Sequence, residues 1–196
     1  MGQPKKLHAA FNRFDQLNAR DPNTEMVDGE PQPREWIYGR RMTQTLNAFR
    51  PDASEALQLT ARCQHLCRWE IPRSRYPMDR PGYLKWRQEL KKFHADKASE
   101  VLAEIGYEQE MIDRVAFLLQ KKRLKRDPET QALEDVICLV FLEHYFEDFA
   151  AKHPEEKVID ILRKTWRKMS PEGHRAAQAM DHPPAVQSLL AKALGE

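Results

Sequence analysis

Histidines, cysteines and arginines are concentrated in one stretch, RCQHLCRWEIPRSRYPMDRPGYLKWRQELKKFHADK, which spans residues 62–97. These side chains can bind metal ions, transfer protons or hold anions. The same stretch contains a connector with several prolines, and long ordered connectors often carry function. The sequence therefore predicts a binding or catalytic site in this region.

Cys63, His65 and Cys67 have the composition of a metal-ligand cluster. On a continuous helix, however, Cys63 and Cys67 share a face while His65 lies about 200° from Cys63. A zinc knuckle also needs a second pair of ligands, which the sequence lacks. We therefore expect the two cysteines to be buried structural residues.

Two histidines and two acids form a second candidate constellation. His65 and His94 lie on separate predicted helices, and Glu134 and Asp135 are consecutive acids on a third, otherwise apolar helix. Two imidazoles and a carboxylate from three helices suit a divalent metal ion with open positions for water or phosphate. The alternative is structural: hydrogen-bonded core histidines, and acids favoured by a helix N-terminus.

Positively charged side chains surround these residues and could bind an anionic substrate, because the guanidinium group matches phosphate and carboxylate. The predicted substrate-binding residues are Arg62, Gln64, Arg68, Arg73, Arg80, Lys122 and Lys125. Salt bridges to nearby acids are an equally weighted alternative. The aromatic residues of the stretch could stack on a planar ligand, although packing in the core is favoured.

Composition limits the possible partners and locations. The chain has 196 residues, a mass of 23.0 kDa and a formal net charge of +2, which argues against general nucleic-acid binding. RNA binding through two basic clusters, at 73–80 and 121–126, is a weaker alternative. No apolar run is long enough to span a membrane, and three cysteines favour a reducing cytoplasm.

The elements that must position these residues are helices, because apolar residues recur at helical spacing along most of the chain. We predict a polar loop at 20–33, no strands, and a central buried helix around 131–146. The predicted fold is all-α, a single-domain orthogonal multi-helix bundle. Helices are predicted at 5–19, from 33 or 34 onward, from Asp52 or Ser54 to a point before Pro72, and at 83–106, 108–122, 128–150, 155–169, 171–180 and 183–194.

Six segments carry a resemblance to a known family. They are FDQLNARDPN, YGRRMTQTL, RCQHLCRWEIPRSRYPMDRPGYLKWR, FHADKA, LKRDPETQALEDVICLVFLEHYFEDF and KVIDILRKTWRKMSPEG, and together they span nearly the entire chain. On these segments the chain resembles a bacterial and fungal family known as the domain-of-unknown-function family numbered four-two-zero-two. This resemblance implies no reaction.

The order of elements is also similar to that of HD-domain phosphohydrolases, which are all-helical and metal-dependent. ASEALQLTARCQHL resembles the helix that ends in their His-Asp pair, which places His65 at the histidine position. HADKASEVLAEIGYEQEMIDRVAFLL resembles the helices that follow, where His94 fits a further histidine. PETQALEDVICL resembles the segment with the final aspartate, which places Asp135 there. The resemblance implies an HD-like core at about 33–150, preceded by a helix and loop at about 1–32 and followed by helices at about 151–196.

Two residues depart from the HD-domain pattern. Leu66 stands where the paired aspartate belongs, and Tyr38 stands where the first histidine is expected. The resemblance therefore implies at most a single divalent metal ion, with His65, His94 and Asp135 as its ligands and His94 and Glu134 as the proton-transfer residues. The implied protein is a divergent hydrolase or lyase that acts on a small anionic, phosphorylated metabolite. The alternative is a metal-free pocket that binds a nucleotide or anion without catalysis.

Overall fold

The structure, a computed structural model, describes residues 3–195. Within these residues the chain folds into ten α-helices and one short β-hairpin. The prediction of an all-α fold is confirmed. The helices are α1 Gln3–Asn18, α2 Arg34–Phe49, α3 Glu55–Cys63, α4 Arg80–Ile105, α5 Gln109–Leu119, α6 Pro128–His144, α7 Phe146–Ala151, α8 Glu155–Lys168, α9 Pro171–Gln178 and α10 Pro184–Leu194. None of these helices is long and apolar enough to cross a membrane.

The prediction of a strandless polar loop at 20–33 is wrong. Strands β1 (Thr24–Val27) and β2 (Glu30–Pro33) form an antiparallel hairpin. Its two-residue turn, Asp28 and Gly29, has positive φ at both positions, 52° and 83°. An Asp-Gly pair adopts this conformation readily and closes a hairpin whose twist suits the strands. The Asp-Gly pair that indicates a hairpin was present in the sequence. The two strands, however, contain too few apolar residues to show the alternation of apolar and polar residues that identifies a strand.

The structure groups the residues into two compact units. Unit 1 contains the described residues up to Asn47 together with Pro51–Lys122, and unit 2 contains Ala48–Arg50 together with the described residues from Arg123 onward. Within unit 1, α1 packs on α3 and α4, and α5 packs on α3 and α4. Within unit 2, α6 contacts α7, α8 and α9, and α10 packs on α8. The predicted single domain with boundaries near residues 32 and 150 stays a prediction.

Each unit has its own apolar core. Burial of a large aliphatic or aromatic side chain stabilises the fold by roughly 2 kcal/mol. The fully buried side chains of unit 1 include Phe14, Met42, Leu46, Leu59, Leu66, Leu102 and Leu118. The core of unit 2 includes Leu139, Leu142, Phe146, Val158 and Leu162. Helix α6 is buried on most of its surface, as its apolar sequence predicted.

Polar side chains fix where several helices begin. Ser54 caps α3 by accepting a hydrogen bond from the amide of Leu57, and Asp127 caps α6 by accepting from that of Thr130. Asp79 accepts from the amide of Gly82 and starts α4 at Arg80, three residues before the predicted start. Each cap satisfies a helix N–H that has no partner within the helix.

The helix predicted to run from 54 to near Pro72 ends earlier, at Cys63. Residues 64–67 form turns, and Cys67 has a left-handed backbone with φ of 53°, which a continuous helix does not allow. His65 therefore lies on a turn and not on a helix, so the sequence argument that used its helical angle does not apply. Cys63 and Cys67 are both buried free thiols, as predicted.

Gly82 holds the start of α4 against the connector that precedes it. A Cβ atom at this position would lie 2.2 Å from the carbonyl oxygen of Pro77, which is backbone and cannot swing away. We expect Gly82→Ala to lower the free energy of unfolding by about 2 kcal/mol in urea denaturation. Gly39→Ala is the matched control, since its Cβ would lie 2.8 Å from the carbonyl oxygen of Arg62 and a smaller loss is expected. Equal losses would contradict this account.

Candidate active site

Three polar side chains from three separate segments of unit 1 meet in a partly buried cluster. Glu35 lies in the first turn of α2, His65 lies on the turns after α3, and Arg68 begins the short 3-10 helix Arg68–Glu70. Nδ1 of His65 is 3.0 Å from Oε2 of Glu35, and Nη1 of Arg68 is 3.2 Å from Nε2 of His65. Nε of Arg68 is also 3.6 Å from Oε1 of Glu35. We refer to Glu35, His65 and Arg68 as the acid–base cluster.

The arginine determines which nitrogen of His65 carries the proton. A guanidinium group only donates hydrogen bonds, so Nε2 of His65 must accept from Arg68. The neutral ring then carries its proton on Nδ1, which donates to Glu35. This arrangement lines up a donor, an imidazole and a carboxylate in one chain of hydrogen bonds. Such a chain can move a proton between the carboxylate and the ring.

Burial changes the acidity of the cluster. Burial raises the pKa of Glu35 from 4.5 to about 7, against the lowering effect of the positive charge of Arg68. Burial also holds the pKa of His65 well below its usual value, and the positive charges of Arg68 and Arg87 act in the same direction. A carboxyl group that titrates near neutral pH can both accept and release a proton there, as general acid–base catalysis requires.

His94 and Tyr38 pack against His65. The rings of Tyr38 and His65 are stacked, with centroids 4.0 Å apart, and the His94 centroid lies 5.9 Å from that of His65. Nδ1 of His94 donates to the carbonyl oxygen of Leu66 at 2.9 Å. Burial lowers the pKa of His94 to about 3, so the ring stays neutral. Its Nε2 is buried and has no partner in the part of the chain that the structure describes.

Asn18 and Asp21 fix the backbone on which the cluster stands. Nδ2 of Asn18 donates to the carbonyl oxygen of Glu35, while Oδ1 of Asn18 accepts from the amide of Cys67. Asp21 accepts a hydrogen bond from the amide of Glu35 at 3.1 Å. One asparagine thus ties the start of α2 to the turns that carry His65, which limits movement of the cluster.

Positive charge surrounds the acid–base cluster. The guanidinium of Arg68 lies 4.8 Å from the ring centre of Trp86, which holds it in place by a cation–π contact. Arg87 and Lys121 are close enough to disfavour a charge on His65. Arg87 is half-buried and, among residues 3–195, makes no hydrogen bond or ion pair with an acid. An unpaired guanidinium beside a proton-transfer group suits the binding of an anion.

Four other predicted substrate-binding residues of unit 1 have different surroundings. Arg62 is buried in a bidentate ion pair with Asp15, and Arg73 donates to carbonyl oxygens of its own connector, including that of Tyr76 at 3.0 Å. Gln64 is buried, and its Oε1 has no partner among the described residues. Arg80 is exposed at the start of α4. Their predicted roles stay predictions.

Lys122 and Lys125 lie in the segment between α5 and α6, where the backbone is strained. Lys121, Arg123 and Lys125 have φ of 54°, 54° and 70°, a left-handed conformation that side chains disfavour. Lys122 is exposed, and Nζ of Lys125 donates to the carbonyl oxygen of Arg167. Binding of substrate by these two lysines also stays a prediction.

The two acids of α6 are in unit 2, whereas His65 and His94 are in unit 1. Asp135 is buried and accepts hydrogen bonds from both the amide and the hydroxyl of Ser170, each at 2.7 Å. Glu134 is buried, and its Oε1 lies 3.7 Å from Nζ of Lys168. A Cβ on Gly173 would lie 2.7 Å from Oδ1 of Asp135, so this carboxylate packs tightly on the start of α9.

Asp135 is expected to stabilise the turn between α8 and α9. Asp135→Ala removes the acceptor for both groups of Ser170 and should lower the free energy of unfolding by about 2 kcal/mol. Asp135→Asn keeps one oxygen acceptor, so urea denaturation should show a smaller loss. Equal stability losses in the two variants would contradict this structural role for the carboxylate.

The predicted metal ligands are divided between the two units. Across residues 3–195, no group of three or more histidine, cysteine or acidic side chains is arranged to hold a metal ion. Both ring nitrogens of His65 already have protein partners, Glu35 and Arg68. A divalent metal ion on His65, His94 and Asp135 stays a prediction, and no step proposed below depends on it.

Sequence reasoning missed Glu35. The signal was a helical spacing, because Glu35, Tyr38 and Met42 recur at intervals of three and four and therefore share one face of α2. Tyr38 and Met42 are buried, so Glu35 is carried into the interior with them. An acid on the apolar face of a helix is costly unless it is paired, which makes it a candidate functional residue.

Comparison with known proteins gives a family but no activity. No curated protein and no solved structure matches the chain, so the similarity to HD-domain phosphohydrolases is not shown. The model of the family described as Domain of unknown function (DUF4202) matches residues 8–190. That range contains every residue of the acid–base cluster. The chain therefore belongs to the DUF4202 family.

Proposed function

We propose that this protein is an acid–base enzyme, a divergent hydrolase or lyase, that acts on a small anionic, phosphorylated metabolite. The observation that carries the proposal is the acid–base cluster, in which the buried carboxyl of Glu35 has a pKa of about 7 and contacts His65 at 3.0 Å. Burying a carboxylate costs free energy even when it is paired, and apolar residues of similar volume would often make a purely structural site at least as stable.

In the proposed reaction Glu35 and His65 relay a proton. Ionised Glu35 draws the Nδ1 proton of His65, and Nε2 of the ring takes a proton from water or substrate once Arg68 turns to the anion. The contact of Arg68 with the ring of Trp86 keeps its guanidinium beside the site while it binds the anion. Arg87 supplies the second positive charge for the phosphate. His94 Nε2 offers a buried acceptor for a substrate or water hydrogen.

A release assay tests the enzymatic proposal directly. The full-length protein is incubated with a panel of phosphorylated sugars and nucleotides, and inorganic phosphate and loss of substrate are both measured. The proposal expects turnover of at least one compound by the wild type and a loss of about a hundredfold in His65→Asn. Asn keeps a donor toward Glu35 but cannot relay a proton. Turnover that is equal in the variant would refute the proposal.

A non-catalytic anion-binding module is the second candidate, and it is favoured by Arg87. This guanidinium lies near His65 and Arg68 without an acidic partner among the described residues. The melting temperature measured with and without pyrophosphate tests this candidate. The binding module is favoured if pyrophosphate raises the melting temperature without being turned over, and if this effect is lost in Arg87→Gln. Lys85→Gln, at an exposed position of the same helix, is the control for nonspecific charge effects and should keep the stabilisation.

We also propose a reducing, cytoplasmic location. The three cysteines are free and buried, which suits a compartment where thiols stay reduced. A divalent metal ion bound through the predicted ligand set is a separate proposal. Metal analysis of protein purified without an affinity tag tests it. Sub-stoichiometric metal that is unchanged in His65→Ala would count against it.

A further inference from the structure

A groove in unit 2 has the properties of a ligand-binding site. None of the residues that line it belongs to the acid–base cluster. It is an open depression with a volume of about 550 Å³, formed by α8, α9 and α10. Cavities of this size commonly hold cofactor-sized molecules. Its lining includes Arg163, Trp166, Arg167, His174 and Gln178.

The groove carries positive charge without a balancing acid. Arg163 and Arg167 are four residues apart, so they share one face of α8. Among the described residues, only the Nε atoms of their guanidinium groups are engaged, with the carbonyl oxygens of Ala193 and Arg163 at 3.0 and 3.3 Å. No carboxylate side chain lines the groove within the described part of the chain. The remaining guanidinium nitrogens can donate to an anion.

A rigid aromatic surface lies beside the two arginines. The rings of Trp166 and His174 are stacked, with centroids 4.1 Å apart and planes inclined by 2°. Nε2 of His174 donates to the carbonyl oxygen of Trp166 at 2.8 Å, which fixes the orientation of the ring. A flat aromatic surface next to guanidinium groups suits a ligand with a planar ring and a phosphate.

A second, smaller cavity of about 190 Å³ shares Trp166, Gln178 and Leu194 with the groove. His182 lines this cavity and is only 8% exposed, and its Nε2 is buried without a partner among the described residues. A buried ring nitrogen without a hydrogen bond is uncommon in folded proteins. The free Nε2 of His182 is an independent indication that a polar group of a ligand, or a water molecule, supplies the missing hydrogen bond in this smaller cavity.

We infer that the groove of unit 2 binds a nucleoside monophosphate. Arg163 and Arg167 hold the phosphate, the base lies along the aromatic surface of Trp166 and His174, and Gln178 offers a polar contact to the base or ribose, while His182 lies in the adjoining smaller cavity. This inference does not rest on the proposed enzymatic function, because none of these residues belongs to the acid–base cluster.

The test uses the full chain with ¹⁵N-labelled tryptophan, so that the indole signal of Trp166 reports on the groove. Adenosine monophosphate is the probe, and adenosine and inorganic phosphate supply its two halves separately. The inference expects saturable movement of the Trp166 signal with the monophosphate and weaker binding of either half. Arg167→Gln should raise the Kd about tenfold, the effect of losing one charge-assisted contact.

Lys164→Gln is the matched control, because it removes one positive charge from the same helix while Lys164 pairs with Asp160 outside the groove. Its Kd should equal that of the wild type. An equal loss of affinity in Lys164→Gln, or no movement of the Trp166 signal at millimolar ligand, would overturn the inference. Amide spectra establish that the variants are folded, and Arg163→Gln gives the same test should Arg167→Gln unfold.

Discussion

Glu35→Gln is expected to lower turnover of a phosphorylated substrate by about a hundredfold or more while making the protein relatively more stable at alkaline pH. Glutamine keeps the shape of the side chain and an oxygen that accepts from His65, but it cannot take up a proton. Loss of a positioned acid–base group usually has an effect of this size. Turnover is measured in the phosphate-release assay, and stability is measured by urea denaturation at pH 5 and pH 8.

The direction of the stability change follows from the raised pKa of Glu35. Between pH 4.5 and about 7 the folded protein keeps a proton that the unfolded chain has released, so stability falls as pH rises through this range. The rise in pKa corresponds to about 3 kcal/mol, expressed in full above pH 7 and absent below pH 4.5. Because glutamine does not titrate, the free energy of unfolding of the variant does not show this decrease between pH 4.5 and pH 7.

The difference in unfolding free energy between Glu35→Gln and wild type should therefore shift by roughly 2–3 kcal/mol in favour of the variant from pH 5 to pH 8, since a small part of the loss is already present at pH 5. Glu30→Gln, at an exposed position on β2, is the control and should show no such shift. If the Glu35→Gln difference were the same at both pH values, the carboxyl would have an ordinary pKa. The case for an acid–base role would then fail.

Arg62→Ala is expected to lower the free energy of unfolding by about 3 kcal/mol. Arg62 on α3 forms a bidentate ion pair with Asp15 on α1 and donates to Oγ1 of Thr43 on α2, so one side chain links three helices. Its guanidinium also lies 5.2 Å from the ring centre of Phe11. Removing one partner of a largely buried ion pair leaves the other charge poorly solvated.

A double-mutant cycle separates the ion pair from other effects of the substitution. Asp15→Ala alone and the double variant Asp15→Ala with Arg62→Ala are measured by urea denaturation. We expect the double variant to lose less than the sum of the two single losses, because the unpaired charge is gone. Additive losses, or a loss below about 1 kcal/mol for Arg62→Ala, would contradict the linking role.

Local chemistry allowed most of the helices to be predicted from the sequence. Apolar residues at helical spacing located most helices, although the single helix predicted at 128–150 is divided at Tyr145 into α6 and α7. The caps at Ser54 and Asp127 act as their residue types implied. The failures have local causes. The hairpin at 24–33 depends on the left-handed Asp28–Gly29 turn and not on apolar alternation, and α3 ends early because Cys67 turns left-handed.

The candidate site was harder to predict because its residues come from distant parts of the sequence. His65 and His94 were predicted as metal ligands and Arg68 as a substrate-binding residue, but Glu35, which contacts His65, lies thirty residues before it and carries no motif. Glu134 and Asp135 were selected as acids on an apolar helix, and the resemblance to HD domains placed Asp135 among the ligands. Only tertiary packing distinguishes an acid that caps a turn, such as Asp135, from one that faces a histidine.

The most direct test of the acid–base cluster is a carbon NMR titration of the Glu35 carboxyl, assigned by comparison with Glu35→Gln. The proposed site requires a midpoint near pH 7, well above the ordinary value of 4.5, and a shift of the His65 ring signals over the same pH range. A midpoint near 4.5, with His65 unaffected, would contradict the central proposal.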